Sequence, residues 1–104
     1  MGVGTPREED TMNRTWDVKI NTRTHADTTS IINRLHDHLE ASATVVSCII
    51  AREGTAGDLR LSVEVAAINP TSAEKQAIRE VHAAMTGIGY YQFSAPPRSP
   101  TVYR

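Results

Sequence analysis

The feature that most narrows the possible folds is the order in which two apolar periodicities follow each other along the chain. Alternation of apolar and polar residues, or a short continuous apolar run, predicts a strand. An apolar stripe that returns every three or four residues predicts a helix. The predicted elements are, in chain order, strand 16–22, helix 27–42, strand 44–51, strand 59–68, a helix between 71 and 87, and strand 90–94.

This β-α-β-β-α-β order predicts the α+β class. Right-handed crossovers in both βαβ halves give a four-stranded antiparallel sheet in the order 4-1-3-2, with both helices on one face. That arrangement is the ferredoxin-like plait, which we expect at 14–95. The polar segment 1–13 is expected to be a disordered tail, and the proline-rich segment 96–104 a second tail.

Local signals predict where the helices begin and end. Asp27 or Thr28 can cap the first helix. Thr71 and Glu74 have the spacing of a capping box at the start of the second helix. Gly87 is placed to end that helix in the left-handed conformation.

Two helices cover one face of such a sheet, so the other face stays open. Alternation directs Trp16, Val18 and Ile20 to the covered face. It directs six polar residues to the centre of the open face, where they form either a solvated surface or a polar binding surface. The six are Asp17, Lys19, Asn21, Arg60, Ser62 and Glu64.

The strand 44–51 is apolar at nearly every position and belongs at a sheet edge, where an uncovered apolar strand promotes aggregation. We therefore expect a homodimer, formed by edge pairing or by packing of open faces. In the alternative, the C-terminal tail folds over this edge. The predicted interface residues alternate along the strand and are Val45, Ser47, Ile49 and Ala51.

Composition excludes several classes of function. The 104 residues suit one domain, and the net charge of −1 lacks the basic excess of a dedicated nucleic-acid binder. No segment has the length of a membrane span, so we expect a cytoplasmic protein. Nine arginines against two lysines suggest a high-GC genome, such as that of an actinobacterium or one of its phages.

Few side chains suggest chemistry. Cys48 is the one cysteine, and its apolar neighbours favour a core position over a nucleophile. His36 and His38 are two positions apart on a helix and point away from each other, so no metal site is predicted. His25 with Asp27 is the remaining polar pair, in the first β–α loop. No catalytic residue and no cofactor are predicted.

At the level of the fold, the chain resembles small ACT-type regulatory domains. The residues that carry the resemblance are the strand Val18-Lys19-Ile20, the helix segment 31–35 and the hairpin around Gly54–Asp58. The resemblance implies a regulatory domain that binds a small effector.

The sequence thus favours a non-catalytic, self-assembling domain that binds a protein partner or a small effector. The alternative is a small dimeric enzyme of the plait-fold monooxygenase kind, with a cleft near His25. A third possibility is weak nucleic-acid binding through the open sheet face. Five aromatic residues and the balanced charge make this third possibility the least favoured.

Overall fold

The structure of the protein, a computed structural model, describes residues 14–25, 27–54 and 57–103, and the predicted tail 1–13 lies outside them. The described chain runs through β1 (Arg14–Thr24), α1 (Thr28–Glu40), β2 (Val45–Glu53), β3 (Asp58–Ala67), α2 (Pro70–Ile88), a short 3-10 helix (Tyr90–Gln92) and β4 (Phe93–Tyr103).

The strands form one antiparallel sheet in the order β2-β3-β1-β4. This is the predicted 4-1-3-2 order read from the other edge, so the α+β class, the two helices and the antiparallel sheet agree with the sequence. The pairing of β1 with β3 has no register shift and sets Asp17 opposite Glu64, Lys19 opposite Ser62 and Asn21 opposite Arg60.

The core lies between the sheet and the two helices. Alternate residues of β1 and β3 are almost fully buried, as strict alternation predicts for strands with one covered face. Both helices contribute their apolar stripes to the same cluster. Its largest fully buried members are Ile20, Ile31, Leu35, Leu39, Leu59, Leu61 and Met85.

The caps of the helices differ from those predicted. The Asn69 side chain, rather than that of Thr71, accepts the free amide of Ser72 at 2.7 Å, and Pro70 occupies the first turn. Asp27 precedes α1 as predicted, but its side chain makes no capping hydrogen bond. Its backbone carbonyl accepts from the Ile31 amide at 3.0 Å instead.

The second helix also ends later than predicted. Gly87 lies within α2, and the positive φ of 110° belongs to Gly89, which follows the helix. A Cβ atom at Gly87 would lie 2.6 Å from the His38 ring. Gly87 therefore leaves room for the His38 ring against α2, while Gly89 provides the backbone turn.

A β-bulge changes which face each residue of β2 presents. The register with β3 shifts between Val45 and Ser47, so Val46 is an extra residue. Val45 consequently packs in the core, with 9% of its surface exposed. Its assignment to the same face as Ser47, Ile49 and Ala51 is wrong, because strict alternation assumes a strand without a bulge.

The C-terminal segment is the largest departure from the predicted organisation. Residues 96–103 were expected in a tail, but they belong to β4, which pairs with β1. Proline lacks an amide proton and is tolerated at a sheet edge, where one side of the strand needs no partner. Several register shifts accompany the pairing. The predicted strand 90–94 begins instead as a 3-10 helix.

Candidate functional site

The open face of the sheet is polar in its centre, and its side chains largely pair with one another. The Lys19 ammonium lies 3.0 Å from the Asp17 carboxylate and donates to the Ser62 hydroxyl. The Tyr103 ring lies 5.9 Å from the same ammonium. The Ser47 hydroxyl donates to the Glu64 carboxylate at 2.9 Å. These contacts connect the polar side chains in the middle of the face without burying them.

One hollow on this face lies beside β2. It encloses about 260 Å³, and Ile49 forms its outer wall with 69% of that residue's surface exposed. Of the predicted interface residues, Ser47, Ile49 and Ala51 share this face, since their cross-strand partners are Glu64, Ser62 and Arg60. Among the large apolar side chains of the described residues, Ile49 is second only to Tyr91 in exposure.

A second hollow, of about 310 Å³, lies between β1 and β4 at the other end of the face. Asn21 and Arg98 are opposite each other in the register. The Asn21 Oδ1 atom is buried and accepts no hydrogen bond from the residues described. The exposed Arg98 lines the same hollow. We call this the Asn21–Arg98 hollow; it is lined by Asn21, Arg23, Asp58, Ser94, Pro96 and Arg98.

One wall of this hollow is held by an ion pair between β1 and β3. The Arg23 guanidinium donates to both carboxylate oxygens of Asp58, at 2.6 and 3.1 Å. The hydrogen bond from Arg23 lowers the pKa of Asp58, and the same bond raises the pKa of Arg23. The pair is exposed, so its value is positional: two donors fix the carboxylate in one orientation.

The predicted polar pair, His25 and Asp27, lies between β1 and α1 and makes hydrogen bonds with backbone groups. The His25 Nε2 atom lies 2.9 Å from the backbone carbonyl of Tyr91, to which it donates in the corresponding tautomer. The His25 amide donates to the Gln92 carbonyl at 3.2 Å. His25 therefore attaches the end of β1 to the 3-10 helix. Two positions earlier in the chain, Arg23 lines the Asn21–Arg98 hollow.

A set of potential metal ligands lies on the other side of the sheet. His36 and Glu40 are on α1, Cys48 is on β2, and one ligand atom of each lies within 4.8 Å of the other two. Burial raises the pKa of the Cys48 thiol, and the Glu40 charge raises it further. The sequence predicted no metal site. It gave no local signal because the three residues belong to two elements that only the fold brings together.

Arg98 was missed for a related reason, since the prolines around it predicted a tail.

Neither α1 nor α2 combines the length and the apolar character that a membrane-spanning helix needs.

Comparison with known proteins supports the fold. The chain is similar to the solved structure of Rv0793 from Mycobacterium tuberculosis, with a TM-score of 0.52 and 13% identity over 88% of this chain and 94% of that one. It is also similar to a putative antibiotic biosynthesis monooxygenase from Chloroflexus aurantiacus, with a TM-score of 0.51 and 12% identity over 86% of this chain and 89% of that one. No family model and no curated protein matches the sequence.

These structures support the ferredoxin-like expectation, and neither is described as an ACT-type domain. The resemblance to ACT-type regulatory domains therefore gains no support beyond the shared plait. At 13% and 12% identity, the two likenesses show the fold alone.

Proposed function

We propose that this chain is a small enzyme of the plait-fold monooxygenase kind, which works as a homodimer and binds a small organic anion in the Asn21–Arg98 hollow. The observation that carries the proposal is the buried, unsatisfied Asn21 acceptor in that hollow, which the Arg98 cation also lines. The monooxygenase-type neighbour, matched over 86% of this chain, supports the class of reaction.

The lining of the hollow indicates the chemistry of the ligand. The Arg98 guanidinium is suited to a carboxylate or another oxyanion. The Asn21 Oδ1 atom accepts a hydrogen bond, so the same ligand should carry a hydroxyl donor next to the anionic group. A buried acceptor without a donor costs about 1–3 kcal/mol, and a bound hydroxyl would recover part of that cost. A hydroxy acid therefore fits the hollow better than a simple acid.

A second copy would complete the open face. Ile49 projects from one edge of the face, and half of the Tyr103 surface is exposed at the opposite edge. A two-fold axis parallel to the strands, lying between two facing sheets, would set β2 of one copy over β4 of the other. Such packing would bury Ile49 and cover the Asn21–Arg98 hollow, which would exclude water from a bound substrate.

The binding part of the proposal is tested with three related probes. Salicylate has both a carboxylate and a neighbouring hydroxyl, benzoate lacks the hydroxyl, and phenol lacks the carboxylate. We expect salicylate to bind best, as measured by its own fluorescence or by calorimetry. Asn21→Ala should reduce binding of salicylate to the level of benzoate. Arg98→Gln should weaken both acids, and Arg79→Gln on α2 serves as the matched control.

The catalytic part is tested by oxygen uptake with gentisate, a hydroxylated relative of salicylate. A balanced monooxygenation of gentisate consumes one O₂, places one oxygen atom in a hydroxylated quinone and releases the other as water, with all electrons coming from the substrate. We expect labelled O₂ to leave one labelled atom in the product, and Arg98→Gln to lower the rate. Production of hydrogen peroxide with an unlabelled quinone would contradict monooxygenation.

The second candidate is the non-catalytic assembly domain, and the exposure of Ile49 and Val46 on the edge strand favours it. A dimer dissociated by Ile49→Lys, with no binding of the three probes and no oxygen uptake, would establish it over the enzyme. A dimer that binds salicylate and consumes oxygen would support the first candidate.

A further inference from the structure

From the cluster of His36, Glu40 and Cys48 we infer a site for a zinc-type divalent metal ion between α1 and the edge strand β2. This site is independent of the proposed function, since it lies on the helix side of the sheet and the Asn21–Arg98 hollow lies on the open side. The argument rests on the placement of the three residues, their donor atoms and their accessibility.

Local structure brings the three side chains together. His36 and Glu40 are four positions apart, so they lie on the same side of α1, one turn from each other. Cys48 follows the β2 bulge and is directed towards the helix layer, with 6% of its surface exposed. Without the bulge, Cys48 would face the open side, since Val45, three positions earlier, packs in the core. The bulge is therefore what presents the thiol to α1.

The distances suit a small ion. The His36 Nε2 and Glu40 Oε2 atoms are 3.7 Å apart, and all three ligand atoms lie within 4.8 Å. Tetrahedral zinc with bonds of about 2.0–2.3 Å separates its ligands by roughly 3.3–3.8 Å. The His36 and Glu40 ligand atoms are already at this separation. Side-chain rotations that move the ligand atoms by about 1 Å would bring the Cys48 sulfur to the same separation.

The donor set is selective. Sulfur with nitrogen and oxygen is typical of zinc and related transition metals, whereas magnesium and calcium take oxygen ligands. A thiolate and a carboxylate would together neutralise a divalent ion. Three protein ligands leave a fourth position to solvent, the arrangement of an exchangeable or reactive zinc site rather than a closed structural one.

The cluster is also accessible and uncommitted. The side chains of His36 and Glu40 are 45% and 54% exposed, so an ion can enter from solvent without opening the core. Within the described part of the chain, these two residues have each other as polar partners, and Cys48 is a free thiol. Among the described residues, metal binding would therefore compete with no polar contact of these three side chains other than the His36–Glu40 pair.

The test is a titration of the full chain with Co²⁺, followed by competition with Zn²⁺. We expect one ion per chain, with the intense near-ultraviolet absorption of a cobalt–thiolate bond and the visible bands of tetrahedral cobalt. Zinc should abolish both. His36→Ala and Glu40→Gln should each weaken binding at least about tenfold, because each removes one of three ligands. His38→Ala, on the same helix but pointing away, is the matched control.

These measurements distinguish a metal site from a His36–Glu40 ion pair on α1 that merely lies near the buried Cys48 thiol. Loss of the cobalt–thiolate absorption in Cys48→Ala, with unchanged circular dichroism, would confirm the sulfur ligand. Should Cys48→Ala not fold, the two helix variants decide the question. Absence of the charge-transfer band in the wild-type chain, or cobalt binding that His36→Ala and Glu40→Gln leave unchanged, would overturn the proposal. Salicylate binding should be the same with and without zinc.

Discussion

The two edge strands, β2 and β4, reach the margin of the same sheet by opposite routes. β2 is rich in apolar residues, contains one bulge and leaves Ile49 exposed on the open face. β4 contains three prolines, pairs irregularly with β1 and begins at the buried Phe93. β2 therefore has the apolar character of an edge strand that can pair with a further strand. At β4, in contrast, the prolines limit further pairing.

The two edges of the sheet are protected to different degrees against pairing with a strand of another chain. The prolines of β4 remove backbone donors, so a second copy gains little by pairing there. On β2 the corresponding protection is weak, because Val46 and Ile49 are both largely exposed. Backbone pairing with a second copy is accordingly expected at the β2 edge rather than at the β4 edge, whereas packing of two open faces would set the exposed Ile49 over β4 of the second copy. The following experiments test this difference between the two strands.

The largest effect is expected from Phe93→Ala at the start of β4. Phe93 is 7% exposed, and the centroid of its ring lies 6.4 Å from the centroid of the Tyr90 ring. We expect the free energy of unfolding to fall by about 3–5 kcal/mol, as for other buried aromatic residues. Ile49→Ala on β2 should change it by no more than about 0.5 kcal/mol in the monomer. Urea denaturation measures both, and a small effect at Phe93 would show that β4 is not anchored in the core.

The next effect concerns the turn between β2 and β3. Gly54 and Gly57 both have positive φ, but a Cβ atom at Gly54 would meet nothing, whereas one at Gly57 would lie 2.1 Å from the Thr24 carbonyl oxygen. Gly54→Ala should cost about 1–2 kcal/mol from backbone strain alone. Gly57→Ala should cost roughly 3 kcal/mol or more, since backbone atoms must also move. Equal melting temperatures would contradict the close approach of this turn to β1.

Ile49→Lys tests self-association directly. A lysine at this position would place a charge in an apolar contact between two open faces, so we expect dissociation constants at least about tenfold higher, or about 1.4 kcal/mol. The fold should be retained, because Ile49 is 69% exposed. Sedimentation across a concentration series measures the effect, with Tyr91→Lys outside the sheet as the control. A wild-type chain that stays monomeric at micromolar concentration would exclude the interface.

The smallest effect is expected from Asp58→Asn, beside the hollow. Because Arg23 lowers the pKa of Asp58, the carboxylate stabilises the fold above the ordinary carboxyl pKa of about 3.9. That contribution disappears as the pH falls through the lowered value. The wild-type chain should therefore exceed the variant in urea midpoint near neutral pH, and the two should converge in acid. A constant difference at every pH would show that the carboxylate charge plays no part.

Sequence patterns predicted the elements whose apolar residues follow the regular spacing of a strand or a helix. β1 and β3 alternate strictly, so their two faces followed from Val18, Lys19 and Ser62 and their neighbours, whereas their register was shown by the structure. The helices followed from their apolar stripes. Boundaries were less secure: Asn69 rather than Thr71 caps α2, because a cap depends on which side chain reaches the first free amides.

The candidate sites were largely beyond prediction. A bulge adds one residue without a local signal, and it both buries Val45 and turns Cys48 towards α1. Prolines predicted a tail at Arg98 because proline disfavours central strands, and the exception for edge strands applies once the neighbours are known. His25 was selected for its place in a loop, but its hydrogen bond to Tyr91 is a long-range contact.

The amino-acid sequence alone determined the class, the element order and the polar centre of the open face, because periodicity and local chemistry act over a few residues. The tertiary structure decided which residues meet: Asn21 with Arg98 on one side of the sheet, and His36 and Glu40 with Cys48 on the other. Such meetings depend on register, bulges and the packing of helices on strands. These are long-range properties that no short segment of the chain specifies.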